Sequence, residues 1–316
     1  MLQQTDGARL ADELDLSLAQ RRYALDAVRR VVQADGGPCG ARSVQLVEVV
    51  AAALGIDVHE HAGGELAAVP VPLRRALVDG LVIAACIECD VTRARQLAVE
   101  QVARELGVRS HWVELLEALR RRRAFSVKRA LVTRSPDARR LFARLWEEEG
   151  VPGLLRAVLF ALGLHRDAPL AARYRALANE PPGSLGRAFS DHFESRRLAF
   201  PGERGGMPER MLHHDLMHVL NGFDTDPAGE CELAGFYAGF ADGDAFTFIV
   251  IALATFHLGL PVSPAVVASA RGAFGPARVL EAFMRGRRIR VDVMGRWDYW
   301  ALMPLPIDRA RATLGA

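Results

Sequence analysis

Two stretches of helical periodicity in the first half of this chain end on the same pair, Leu54-Gly55 and Leu106-Gly107. Each follows an acidic turn, and each turn follows another helical stretch. The spacing predicts helices over 23–32 and 44–54, then over 73–86 and 95–106. Apolar residues recur there every three or four positions, which puts them on one face of a helix. A glycine just past the last periodic residue closes a helix in the left-handed conformation. Gln33-Ala34-Asp35-Gly36-Gly37-Pro38 and Glu88 to Arg93 read as the turns, and 59–72 as a loop rich in Gly, Ala and Pro. A helix, acidic turn, helix unit used twice constrains this half to a helical module.

Composition extends the expectation to the whole chain. Ala, Leu, Val and Arg dominate and aromatic residues make up 7% of the 316 positions. Helix formers in that proportion argue for an all-α protein and against a β-sandwich or propeller. The length predicts two domains. A composition shift and the helix-start signal Ser135-Pro136-Asp137 place the boundary near residue 125. We expect an N-terminal segment (1–19), a helical module (20–124) and a second helical bundle (125–316), with helices over 137–148, 154–164 and 186–195.

Net charge is +2, which selects no partner by itself. Met1 to Ser17 has no apolar core and no small-residue cleavage site, which argues for a cytoplasmic protein. Ala245 to Val262 is nearly all apolar and just long enough to be weighed as a membrane span. Thr247, Thr255 and His257 within it, and the lack of flanking lysines, favour a buried helix. Four cysteines are too few for a disulfide scaffold. Cys86 and Cys89 form one C-x-x-C at a helix end, where packing as small apolar residues outweighs a redox or zinc role.

Chemistry concentrates in His213-His214-Asp215-Leu216-Met217-His218. On a helix, His214 and His218 are one turn apart on one face and can grip one divalent ion. Asp215 lies about 100° further round, where it could ligate the ion or hold a bound water. His213 points elsewhere. After a loop over 223–229, Glu230 opens another helix that an antiparallel turn could return to the histidines. Two imidazoles and two carboxylates suit zinc and tolerate iron or manganese. Glu232, Asp242 and Asp244 are candidates to support the ligands from behind, and His257 reads as a core histidine. Arg120 to Arg123 and Arg285, Arg287, Arg288 and Arg290 are clusters that could meet anionic lipid, bind a phosphate or simply be solvated. No pattern supports nucleic acid.

The string H-D-x-x-H-x11-E formed by His214, Asp215, His218 and Glu230 resembles the Coq-four family of ubiquinone (coenzyme Q) biosynthesis. Leu131 to Asp137, Pro182 to Phe189, Gly286-Arg287-Arg288 and Trp297 to Trp300 are similar to further segments of that family. The likeness therefore covers 126–316. Leu216-Met217 and Met211-Leu212-His213 depart from its pattern, which retains the ligands but alters the pocket. The first half resembles a TerB-like (tellurite-resistance-like) domain. Ala34-Asp35-Gly36 keeps that domain's acidic turn, and Glu88-Cys89-Asp90 does not.

The resemblance implies a divalent metal, most simply zinc, on His214, Asp215, His218 and Glu230. It implies a prenylated aromatic or quinone precursor as ligand, its tail in a tunnel lined by 245–262, and oxidative ring decarboxylation and hydroxylation. It also implies peripheral contact with the inner face of a membrane, other quinone-biosynthesis proteins as partners, and a homodimer as one assembly. Two other classes stay open: a prenyl-lipid scaffold with a structural metal, and a metal hydrolase. The hydrolase would need further histidines that the sequence does not identify.

Overall fold

The computed structural model describes residues 14–59, 69–134, 150, 166–241, 245–262, 270–294 and 297–315. These residues form thirteen α-helices, short 3-10 and π turns and two isolated β-bridges, with no strand among them. The all-α expectation holds. The helices expected over 137–148 and 154–164, and Asp242 and Asp244, lie outside the described residues.

The first half runs α1 (Leu18–Val32), α2 (Ala41–Leu54), α3 (Val71–Cys86), α4 (Arg93–Glu105), α5 (His111–Arg120) and α6 (Ala124–Arg134). Ser17 starts α1 with a capping box closed by Gln20, and Thr92 and Ser110 cap α4 and α5. Gly55 and Gly107 stand at φ 62° and 67°, the left-handed conformation their position after each helix requires. Helix α1 packs on α2, α3 and α4.

The acids of both turns are engaged by the protein itself. Asp35 accepts Thr92 Oγ1–H at 2.6 Å and Arg95 Nε–H at 2.9 Å. Glu88 accepts the Ser43 N–H at 2.7 Å. Each turn thus clamps the start of the second helix of the other half, a structural use for carboxylates that could otherwise face an ion.

The second half runs α7 (Ala168–Arg175), α8 (Leu185–Ser195), α9 (His213–Asn221), α10 (Pro227–Phe240), α11 (Phe246–Ala252), α12 (Pro276–Gly286) and α13 (Ile307–Leu314). Helix α10 lies against α11 and along α12. Its backbone approach to α12 is close enough that a Cβ on Gly239 would strike the Phe283 carbonyl, and one on Gly286 would strike the Phe236 carbonyl. A G-x-x-x-G stripe (Gly235, Gly239) makes that approach possible.

Packing is continuous across residue 125. Val127 and Leu131 of α6 share a core with Leu81, Trp112 and Leu116, and the same core takes in Cys231, Ile249, Leu253 and Phe256. A second core, with Tyr174, Phe189, Phe193, Leu216 and Phe236, underlies the metal-site helices.

The segment 245–262 is not one helix. Helix α11 ends at Ala252, Leu253–His257 form a π turn, and Leu258 then bridges to Arg271. The extra residue of a π turn reorients the chain beyond it. Here it aims His257 at the first half: Nε2 donates to the Ile87 carbonyl at 2.9 Å and Nδ1 accepts the Phe274 N–H at 3.2 Å. No helix among the described residues is long and apolar enough to cross a membrane.

The arginine clusters are largely claimed by the fold. Arg120 and Arg121 pair with Glu117, and Arg122 donates to the Leu258 carbonyl at 2.8 Å. Arg285 donates to the carbonyl and side-chain oxygen of Asn221, at 2.9 and 3.1 Å. It therefore caps the C-terminus of α9, where a cation is electrostatically favoured. Arg287, Arg288 and Arg290 remain exposed.

Candidate metal centre

Helix α9 is held at both ends. Before it, Glu209 Oε1 accepts from Tyr174 Oη at 2.8 Å, Tyr299 Oη at 2.9 Å and Trp300 Nε1 at 3.4 Å. Burial raises the pKa of both phenols, so they stay protonated donors. Behind it, Gly222 turns left-handed at φ 69°, and Arg285 and Arg311 take the last carbonyls. Asp226 caps α10 by accepting the Gly229 N–H at 2.7 Å, with Pro227 in the first turn. That Asp-Pro signal starts α10 at Pro227, before the loop expected to run to Gly229. Glu230 then falls in the first turn of α10.

The tight α9–α10 connection brings His214, His218 and Glu230 together. One ligand atom from each lies within 4.8 Å of the other two, the one group of three or more such side chains among the described residues. His214 Nε2 is 3.5 Å from Glu230 Oε2, and His218 Nε2 is 3.2 Å from Glu230 Oε1. The His218 side chain is fully buried, whereas His214 keeps 35% exposure.

His218 is the residue best disposed to meet a cation. Its Nδ1 lies 3.2 Å from the Phe223 carbonyl, which can only accept, so Nδ1 holds the proton. In the neutral ring Nε2 then presents a lone pair. That nitrogen is buried, faces a carboxylate oxygen and makes no hydrogen bond. Two lone pairs facing each other in a buried site call for a positive charge between them, which a proton or a metal ion can supply. A backbone carbonyl fixing the far nitrogen is also how metal-bound imidazoles are oriented. The residues present therefore fit a divalent ion.

The electrostatics agree. Burial alone would raise the Glu230 pKa, but the adjacent His214 and His218 imidazoles, when they carry a proton, hold it down at about 2. Burial opposes a charged His214, and the Glu230 carboxylate, with Asp215 beyond it, outweighs burial and raises the pKa.

Asp215 does not join the three. Its Oδ1 stands 3.8 Å from Nε2 of His192, a buried residue of α8 that lies outside every motif recognisable in the sequence. His213 sits edge-on to Tyr237 and is not one of the three. Glu232 is paired with Arg278, so it does not support the ligands from behind. Cys86 and Cys89 are free, buried thiols, and burial pushes Cys86 up to about 12. Cys89 Sγ lies 3.7 Å from His257 Nε2.

Fold and site together define an all-α protein with a two-histidine, one-carboxylate cluster on adjoining helices. In comparisons with known proteins, no family model matches the chain, and no curated protein and no solved structure matches it.

Proposed function

We propose that this chain is a metal-dependent protein of quinone or prenyl-lipid tailoring, in which His214, His218 and Glu230 hold a divalent ion, zinc by its donor set. The observation that carries the metal is the buried His218 Nε2, without a hydrogen bond and 3.2 Å from Glu230 Oε1. Two nitrogens and one carboxylate oxygen suit zinc and leave a coordination position open, as catalytic zinc sites do. Bound there, the ion would act as a Lewis acid on a carboxylate or phenolate oxygen of the substrate. The chain's own part is to fix the ligands and exclude water.

The substrate class rests on the Coq-four resemblance, which implies a prenylated aromatic precursor and oxidative decarboxylation with hydroxylation of its ring. Apolar α11 supports it physically. It packs on α10, and Phe248 stacks on Tyr237 at 5.1 Å, so an apolar wall adjoins the ligand-bearing helix. Exposed Arg287, Arg288 and Arg290 suit the anionic inner face of a membrane. Three ligands rather than four support this reading over a scaffold whose metal is structural.

The test is elemental analysis of the purified chain with lipid extraction and mass spectrometry. A divalent ion and a co-purifying isoprenoid are expected. A chain that binds no divalent ion overturns the site. Wild-type affinity in Glu230→Ala removes Glu230 from it. Variants of the site should lose product formation while retaining lipid.

A further inference from the structure

Beside the three ligands lies a second pair of groups with the same unanswered chemistry. His192 on α8 and Asp215 on α9 face each other with only 7% and 8% of their side chains exposed. Their nearest polar atoms, Nε2 and Oδ1, are 3.8 Å apart, beyond hydrogen-bond reach. His192 Nε2 is buried and makes no hydrogen bond. The separation of 3.8 Å is too long for a direct hydrogen bond. It does match two ligand atoms on one ion, which at bond lengths of about 2.0–2.2 Å stand roughly 3–4 Å apart.

The pair adjoins the first cluster directly. The His192 ring stacks over His218 with centroids 6.2 Å apart and planes 25° apart. Asp215 comes directly after His214 in sequence, so the doublet sends one side chain to each of the two groups. Tyr237, from α10, adds a further buried hydroxyl without a partner. A buried phenol without a partner gains by donating to an acceptor such as a ligand oxygen.

We infer that His192 and Asp215 bind a second divalent ion next to the one on His214, His218 and Glu230, making a two-metal centre. The inference rests on the first site being a metal site. Two ions side by side, typically about 3.5–4 Å apart, clamp both oxygens of one oxyanion. The ligand class is therefore a carboxylate or phosphate that bridges the pair, with the Tyr237 hydroxyl as an added donor.

The experiment loads the full-length chain with Mn2+ and measures bound metal per chain and the electron paramagnetic resonance spectrum. Two ions per chain and a spin-coupled signal are expected. His192→Ala should bind one ion and give the signal of an isolated Mn2+, with Asp215→Asn as the second variant should His192→Ala fail to fold. One ion per wild-type chain overturns the inference and leaves the first site standing. Two ions that show no coupling, or that persist in both variants, place the second ion elsewhere and also overturn it. No bound ion overturns both readings.

Discussion

The Glu88 carboxylate accepts the backbone N–H of Ser43 at 2.7 Å and fills the space in which a side chain on Gly40 would stand. Gly40 is the N-cap of α2 and has no side chain with which to cap it. Glu88, from the turn between α3 and α4, supplies the missing acceptor across 45 residues of sequence. Glu88→Ala should therefore destabilise the protein by about 0.5–2 kcal/mol, as loss of a helix cap does. Gly40→Ala should cost about the same, because its Cβ displaces the carboxylate. The double variant should cost clearly less than the two together, since both remove one interaction. Urea denaturation of the four proteins measures this, and additive losses would break the assignment.

Arg122 joins the two halves in an unusual backbone conformation. Its φ is 51°, and its guanidinium donates to the Leu258 carbonyl at 2.8 Å and the Gly259 carbonyl at 3.3 Å. Two effects oppose each other on substitution. Arg122→Ala loses the hydrogen bonds and keeps the left-handed backbone. Arg122→Gly loses the same bonds and relieves a backbone cost of about 1 kcal/mol. Glycine should therefore be the milder change by about that amount. Equal melting temperatures for the two variants would mean that the conformation at 122 carries no cost.

His257 has both ring nitrogens committed, one donating to Ile87 and one accepting from Phe274. Only the neutral ring can do both. Burial, ahead of the nearby Arg42 charge, lowers its pKa below 6.5. Linkage fixes the sign of the pH dependence. Below pH 6.5 the unfolded chain binds the proton and the folded chain does not, so stability falls as pH drops from 6.5 towards the folded pKa. Above 6.5 this residue contributes no slope. His257→Gln keeps a donor for Ile87 and removes the titration. Its unfolding free energy should lie below wild type at pH 7 and vary less between about pH 6.5 and 5. A variant with an unchanged pH slope would show that other groups set it.

Helix positions were legible because they depend on neighbours in sequence. Leu54-Gly55 and Leu106-Gly107 ended helices where a left-handed glycine must come next. His214, His218 and Glu230 were legible because the i,i+4 step and the short return through 223–226 are both local. The features that escaped depended on distant chain. Asp215 reads as a fourth ligand from its place beside His214, yet its partner is His192, on the preceding helix α8. The 245–262 run reads as one helix from its apolarity, and a tertiary demand, His257 meeting Ile87, opens it into a π turn. Arg285 reads as part of a basic patch until Asn221 is seen to need a cap.

The two ligand histidines should not be equivalent. His218 is fully buried, and the Phe223 carbonyl fixes its ring, so it enters metal binding with its orientation settled. His214 is 35% exposed and is placed by Glu230 and the edge of the His218 ring, both themselves ligands. An oriented ligand loses less freedom on binding, and removing one also leaves the Glu230 carboxylate short of its buried partner. His218→Ala should weaken Zn2+ affinity by well over the roughly 10–100-fold typical of losing a group behind a ligand, and by more than His214→Ala does. His213→Ala, on the same helix but turned to Tyr237, should leave affinity unchanged. Competition with a chelator at one fixed pH reads all three, using chains whose helical content is first shown equal. A larger loss from His213→Ala than from His218→Ala would move the metal centre to another face of α9.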